Sequence, residues 1–294
     1  MSLPSEPMLT GKSVVVTGSG GGIGAAYARL AASHGAAVVV NDVDAGAAES
    51  VAEEIRRAGG RAVAFAADVS DWDAAGNLVA TAVETFGRID GLVNNAGLFT
   101  AGEPDDLTAE QVDRLVRVNV VGSVACGTHA IGFMKRQRSG VVVNVTSGVQ
   151  CGTRGLSLYG MTKGAMASLT YGWALDLAEF GVRVNAISPN AHTRMADEYE
   201  RFRGDASTGQ NVGKSPETNA PAAVFLLSDA SAPLTGQVLR VDGADLTLMT
   251  HPRQVVPVAR EDGWTVRSVA AAMAGPLASY AQPLGLADHV LTER

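Results

Sequence analysis

Short valine-rich runs alternate along the chain with longer alanine-rich stretches whose apolar positions recur at helical spacing. The run "SVVVTG" (13–18) predicts a buried strand, and "GIGAAYARLAASHG" (22–35) a helix that closes at a glycine. The pairing repeats, with strands over 36–42, 61–68, 89–97, 140–147, 182–188 and 236–243. Helices are expected over 45–60, 71–87, 108–118, 120–137, 157–180 and 216–228. Strands separated by helices pair in parallel through right-handed crossovers. The pattern therefore predicts an α/β fold, a doubly wound seven-stranded parallel sheet with helices on both faces. Ligands of such sheets sit beyond the carboxyl ends of the strands, where strand order reverses. The polar stretch 196–215 is the longest break in the pattern. Residues 244–294 read as an extension of one domain spanning 1–294, with its core at 11–243.

Composition narrows the partners. Of 294 residues 46% are hydrophobic but only 5% aromatic, so Ala, Val and Leu must build the core. A net charge of −7 argues against a nucleic-acid partner, which calls for a basic face. No apolar run reaches the roughly 18 to 20 residues that span a bilayer, and the N-terminus lacks the pattern of a signal peptide. Two cysteines, Cys126 and Cys151, form no metal or disulfide spacing; they read as inert small residues in a reducing, cytoplasmic setting. No metal is expected.

The first chemical signal is "VVVTGSGGGIG", where Gly18, Gly20, Gly21, Gly22 and Gly24 follow a strand and open a helix. Without Cβ atoms such a loop turns tightly and brings main-chain N–H groups to a pyrophosphate, at the favourable end of a helix. Thr17, Gly18, Gly22, Ile23 and Gly24 are the candidate contacts. Asp42 ends the second strand 18 residues after Gly24, where an acid accepts bonds from the adenosine ribose hydroxyls. It repels a 2′-phosphate, and no Arg or Lys between 13 and 28 or 30 and 55 offsets that repulsion, so NAD is expected over NADP. The other reading of such an acid, a helix cap, fits Asp44 better. Asp68 either accepts a bond from adenine, with Val69 beside the ring, or caps the helix that begins near Trp72. "NNAG" (94–97) ends the fourth strand in a small-residue turn, either bracing the backbone or touching the cofactor through Asn95, Ala96 and Gly97.

The second signal is "SLYGMTK" (157–163). Tyr159 and Lys163, four apart on one helix, share a face. An adjacent ammonium favours phenolate, and moving a phenol from about 10 to about 7 takes roughly 4 kcal/mol. The lysine is expected to supply part of that, and its donors also suit the hydroxyls of the nicotinamide ribose. Ser147 ends the fifth strand 12 residues before Tyr159, placed to hydrogen-bond a reacting oxygen. Asn119 interrupts a helical run with a residue of poor propensity, where its carbonyl or side chain can hold a water that feeds protons to Lys163.

Glycine loop, acid, NNAG, Asn, Ser and Tyr-x-x-x-Lys, in order on successive strands, together resemble the short-chain dehydrogenase/reductase family over residues 11 to 243. The resemblance implies a Rossmann-type fold, an NAD cofactor and a tetrad of Asn119, Ser147, Tyr159 and Lys163. It also implies a homotetramer or homodimer built through the helices at 108–137 and 157–180. Pro189 and Thr193, with Ile187, would flank the nicotinamide. Two positions depart from the family's habit. The Ser-to-Tyr spacing is one shorter, which makes Thr146 the fallback, and Pro189 is followed by Asn190, expected to replace a left-handed glycine. "SPNAHTRM" (188–195), "VVVND" (38–42) and the tail are similar to the hydroxyacyl-CoA dehydrogenase branch found in peroxisomal multifunctional proteins.

The expected activity is hydride transfer between NAD(H) and a secondary alcohol or ketone. Leu98, Phe99, Val149, Leu156 and Met195 suggest an apolar pocket for a small-molecule substrate such as a hydroxyacyl-CoA or hydroxysteroid. Arg194, Arg201 and Arg203 either meet the phosphates of a thioester or form a solvated helix face with Glu198 and Glu200. The stretch "HPRQVVPVAR" (251–260) and Trp264 either cover a pocket or pack outside the core. The alternatives are an NADP-dependent ketoreductase and a non-catalytic NAD-binding sensor or scaffold.

Overall fold

The structure, a computed structural model, describes residues 7–204, 214–252, 259, 263–280 and 285–286. Its strands are β1 Ser13–Val16, β2 Ala37–Asp42, β3 Arg61–Ala66, β4 Gly91–Asn94, β5 Gly140–Val145, β6 Val182–Asn190, β7 Val238–Asp242 and β8 Asp245–Met249. They form one sheet in the order β3-β2-β1-β4-β5-β6-β7-β8. The seven expected strands all pair in parallel. The order reverses between β1 and β4, which sets the ligand crevice at their carboxyl ends.

The expectation of seven strands is corrected by β8, which returns antiparallel along β7 and lies in the stretch read as extension. Gly243 takes φ +64 in the short turn that joins them. Leu246 and Leu248 on this edge strand are exposed, so no burial signal marks it in the sequence. The chain divides into two compact units, Met1–Met249 and Thr250–Arg294. Within the second, a helix over Val266–Ala274 starts at a capping box of Thr265 and Ser268. Most of "HPRQVVPVAR" lies outside the described residues.

The helices of the first unit are α1 Gly22–Ser33, α2 Ala45–Arg57, α3 Trp72–Phe86, α4 Ala109–Val116, α5 Ser123–Gln137, α6 Ser157–Leu177, α7 Arg194–Arg203 and α8 Ala220–Leu227. Alternation along each strand divides the core. Val14, Val16, Val38, Val40, Val141 and Val143 pack with α1, α2 and α8. Val15, Val39 and Val142 face the other way, onto α3, α5 and α6. Asp44 and Asp71 cap α2 and α3, accepting from Ala47 at 3.0 Å and Ala74 at 2.9 Å. The break expected over 196–215 is corrected in its first part, where α7 lies; residues 205–213 are outside the described set. Cys126 is buried in the core, which pushes its thiol up to about 12, in keeping with an inert residue. Among the described residues no helix is long and apolar enough to cross a membrane, and no cluster of metal-ligating side chains occurs.

Candidate active site

A cleft of about 850 Å³ opens at the carboxyl edge of the sheet. Of the residues singled out from sequence, Gly18, Gly22, Ile23, Gly24, Asp42, Asp68, Val69, Asn95, Ala96, Gly97, Ser147, Tyr159, Lys163, Pro189 and Thr193 line it. So do all five expected apolar residues, Leu98, Phe99, Val149, Leu156 and Met195.

The glycine loop is shaped by what a side chain would strike. A Cβ on Gly24 would lie 2.3 Å from the Gly18 carbonyl oxygen and 2.4 Å from Asn95 Nδ2; one on Gly18 would meet Ala96 Cα at 2.7 Å. Gly22, at φ +54, has nothing within 4 Å and faces open space. Gly21 precedes α1 in extended conformation and gives it no side-chain cap. The first-turn N–H groups of α1 therefore stand at a bare wall that an anion can approach. These features fit the diphosphate of a dinucleotide.

Asp42 is fixed at the next position along the cleft. Its Oδ2 accepts from Gly20 N at 3.0 Å and its Oδ1 from Asp44 N at 3.1 Å. Capping belongs to Asp44, as expected. Asp68 does not cap α3, which corrects that alternative, because Asp71 holds the position. Instead Asp68 accepts from Ser70 N at 2.9 Å, a turn that keeps its carboxylate and Val69 at the cleft.

Thr17 lies behind the wall rather than on it. Its hydroxyl accepts from Asn95 N and Ala96 N, each at 3.0 Å. Asn95 Nδ2 returns the favour to the Thr17 and Gly18 carbonyls, each at 2.9 Å. Asn94 donates to Asn144 at 2.9 Å, and Asn144 to Thr170 at 2.9 Å, a buried polar chain running from β4 through β5 to α6. The NNAG turn thus braces the loop and lines the cleft at once.

Asn119 is also behind the wall, in a π-helical turn over Arg117–Gly122. Its Oδ1 accepts from Leu98 N at 2.7 Å, while Nδ2 donates to Leu98 O at 3.0 Å and Thr162 Oγ1 at 3.1 Å. The side chain is therefore committed to the protein, so of the two expected holders of a water, carbonyl and side chain, the side chain is excluded. The main-chain carbonyl accepts from Ser123 Oγ at 3.0 Å. A Cβ on Gly97 would stand 3.4 Å from Asn119 Oδ1 and 3.6 Å from Lys163 Nζ, so the three meet at one point.

Ser147 follows β5 in extended conformation, with only a long 3.5 Å bond from Val149 N. Thr146, the fallback, gives its hydroxyl to the Ile187 carbonyl at 3.2 Å, which leaves Ser147 as the hydroxyl available to the cleft. The backbone contact expected of Ile187 is not seen at the cleft, since its carbonyl accepts from Thr146 N at 2.7 Å and Thr146 Oγ1 at 3.2 Å; Pro189, Asn190, Ala191, His192 and Thr193 form that wall. Asn190 is extended rather than left-handed. It pairs in register with Asp242 and donates to its carboxylate at 2.9 Å.

Tyr159 opens α6 and packs edge-on against Phe99, ring centres 5.1 Å apart. Lys163 is buried, donates to the Val145 carbonyl at 2.9 Å and lies 5.5 Å from the Tyr159 ring centre. Burial pulls the lysine down to about 8 and pushes the phenol above its ordinary range. In the chain by itself desolvation outweighs the neighbouring charge, which limits Lys163 to the partial contribution expected of it.

Arg114, Arg117, His192 and Tyr199 also line the cleft without having been singled out from sequence. Arg114 and Arg117 sit three apart on α4 and the π turn, a spacing that carried a signal. Arg201 and Arg203 lie exposed on α7, as a solvated face requires; the side chain of Arg194 is outside the described residues.

A family profile described as Enoyl-(Acyl carrier protein) reductase matches residues 18–243. Cis-4-hydroxycyclohexanecarboxylate dehydrogenase of Sinomonas cyclohexanicum is 40% identical over 235 residues, covering 78% of this chain and 94% of the relative. 3beta-hydroxysteroid dehydrogenase 1 of Eggerthella lenta is 37% identical over 245 residues, covering 80% and 94%. The crystal structure of a short chain dehydrogenase from Mycobacterium avium superposes with a TM-score of 0.82 at 33% identity, covering 94% of this chain and 98% of that one. With its site, sheet order and relatives in agreement, the chain belongs to the short-chain dehydrogenase/reductase family, oxidoreductases that work with a nicotinamide dinucleotide.

Proposed function

We propose that the protein oxidises a secondary alcohol to a ketone with NAD⁺, and runs the reverse with NADH, on a largely apolar substrate such as a hydroxyacyl thioester or hydroxysteroid. The observation that carries this reading is that Ser147, Tyr159 and Lys163 line one cleft together with the apolar Leu98, Phe99, Val149, Leu156 and Met195. The glycine loop, Asp42 and the ends of β4 to β6 would hold the dinucleotide, which supplies the hydride acceptor or donor.

The chain's own residues manage the oxygen and its proton. Ser147 donates a hydrogen bond to the reacting oxygen and steadies its charge. Tyr159 takes the hydroxyl proton as general base, or returns it in the reverse direction. Lys163, tethered to the Val145 carbonyl, would pass that proton on toward solvent beside Asn119. Asp42 supports NAD: of the cations lining the cleft, Arg117 is engaged with Asp113 at 2.9 Å, and Arg114 and Lys163 lie on α4 and α6. Exposed Val112, Val121, Met161 and Leu175 on α4, the π turn and α6 support assembly through those helices into a dimer or tetramer.

Initial rates on a panel of cyclic, steroid and hydroxyacyl alcohols, with each cofactor, test the reading. NAD⁺ should exceed NADP⁺ at least tenfold in kcat/KM, a gap of about 1.4 kcal/mol. Tyr159→Phe should lose about 10² or more in kcat while NADH binding persists. Preference for NADP⁺ removes the cofactor assignment, and a Phe variant at full rate removes the mechanism.

A further inference from the structure

A second cavity of about 570 Å³ continues from the reacting end of the cleft, sharing Gly97, Leu98, Phe99, Arg114 and Met195 with it. Its floor is apolar, built from Leu98, Phe99, Leu115 and Met195. Its mouth, between α4 and α7, is charged by Arg114 and Arg201 on one account and by Asp197 and Glu198 on the other.

These charges do not cancel evenly. Asp197 lies 3.2 Å from His192 Nε2, and Glu198 is exposed on the outer turn of α7. Arg201 gives its Nε to the Asp197 main-chain carbonyl at 3.2 Å. Gln111 spends its side-chain oxygen on the N-cap of α4, accepting from Thr108 N at 2.9 Å. Three residues beyond Gln111, the Arg114 side chain has no hydrogen-bond or ion-pair partner among the described residues, whereas Arg117 on the next turn grips Asp113 with bonds of 2.9 and 3.1 Å. A guanidinium left unpaired at the rim of this cavity matches a planar or tetrahedral anion.

We propose that this side cavity takes the anionic end of the substrate, with Arg114 as its counter-charge and the Leu98–Phe99–Met195 wall holding the apolar body. The inference rests on the dehydrogenase reading above and sharpens it: the alcohol carries a carboxylate or a thioester's phosphate. Arg114 is a specificity residue, since it meets the far end of the substrate and not the carbinol.

The test is calorimetric binding to the NADH-loaded protein, where an alcohol cannot react, with turnover of the same alcohols recorded in parallel with NAD⁺ and with NADP⁺. The probes are cis-4-hydroxycyclohexanecarboxylate, its neutral methyl ester and 3-hydroxybutyryl-CoA, each added to the NADH-loaded protein. Wild type should bind one of the two anions up to about fivefold more tightly than the ester, the upper scale of a solvent-exposed guanidinium–anion contact. In Arg114→Gln that ratio should fall toward one, and Arg114→Lys should restore part of it. Preference for the free acid identifies the carboxylate as the source; preference for the thioester identifies its phosphates. Equal binding of ester and anions, binding of none, or an unchanged ratio in Arg114→Gln would overturn the proposal. So would an Arg114→Gln variant that weakens NADH as much as it weakens the anion, since the arginine would then serve the cofactor. Tight, Arg114-dependent binding without turnover under either cofactor would instead sink the dehydrogenase reading and leave the anion site standing.

Discussion

The Lys163 ammonium lies 5.5 Å from the centre of the Tyr159 ring while giving a hydrogen bond to the Val145 carbonyl at 2.9 Å. This geometry suits a cation that favours phenolate, yet burial acts on both partners in the opposite sense. The lysine titrates at about 8, so above that pH it carries little charge to help. Burial meanwhile raises the phenol. Positive charge beyond what this chain supplies is needed before Tyr159 ionises near neutrality. The expected outcome is a near-ultraviolet difference spectrum, wild type minus Tyr159→Phe, with no phenolate band below about pH 10 in the cofactor-free protein. Adding NAD⁺ should bring the band in near pH 7 to 8, roughly the working range of a general base. A phenolate already present at neutral pH without NAD⁺ would show that Lys163 outweighs burial.

The same lysine makes a stability prediction. Its folded pKa, about 8, lies below the unfolded value near 10.5. Between those pH values the unfolded chain binds more protons, so the lysine's contribution to stability rises with pH. Below about 8 both states are protonated and the full cost of the buried ammonium is present, on the order of 3 kcal/mol. Lys163→Met removes that cost but strands the Val145 carbonyl, at roughly 1 to 3 kcal/mol. Whatever the net value at neutral pH, the variant's stability relative to wild type should fall as pH rises from 8 toward 10. Urea denaturation at several pH values reads it directly. A difference that stays flat across that window would mean the lysine is not desolvated in the folded protein.

Much of this site is legible in the sequence because each part is local. Glycines after β1, an acid closing β2, small residues closing β4 and a Tyr-x-x-x-Lys turn all declare themselves by residue type and by place at a strand or helix end. What escaped depends on partners distant in the chain. Ser147 stands one residue nearer Tyr159 than the family's habit and Thr146 is the fallback, and only the Ile187 carbonyl, on β6, takes the threonine hydroxyl out of contention. Asn190 reads as a glycine substitute until Asp242 claims its side chain and extends the strand. β8 has two exposed leucines and no burial signal, so it is read from its pairing with β7 alone. The unpaired state of Arg114 is equally invisible, because it depends on where α7 comes to lie.

Two glycines of the cleft separate a structural need from a chemical one. At Gly24 an added methyl would fall 2.3 Å from the Gly18 carbonyl oxygen, a contact that the loop relieves only by opening. Gly24→Ala should lose measurable NADH binding and cost about 1 to 3 kcal/mol as an overpacked site. Gly97 differs, since it is not among the residues at positive φ and its added methyl would meet Asn119 Oδ1 at 3.4 Å and Lys163 Nζ at 3.6 Å, ordinary contact distances. Gly97→Ala should therefore fold with a melting temperature within a few degrees of wild type, in line with a change below about 1 kcal/mol. The methyl nevertheless enters the space between Asn119 and Lys163, on the proton route proposed above. Turnover should fall about tenfold or more while NADH affinity changes less than about threefold, placing the loss in kcat rather than in binding. An Ala variant with full kcat would close that route as an explanation, and one that loses NADH instead would assign the space to the cofactor.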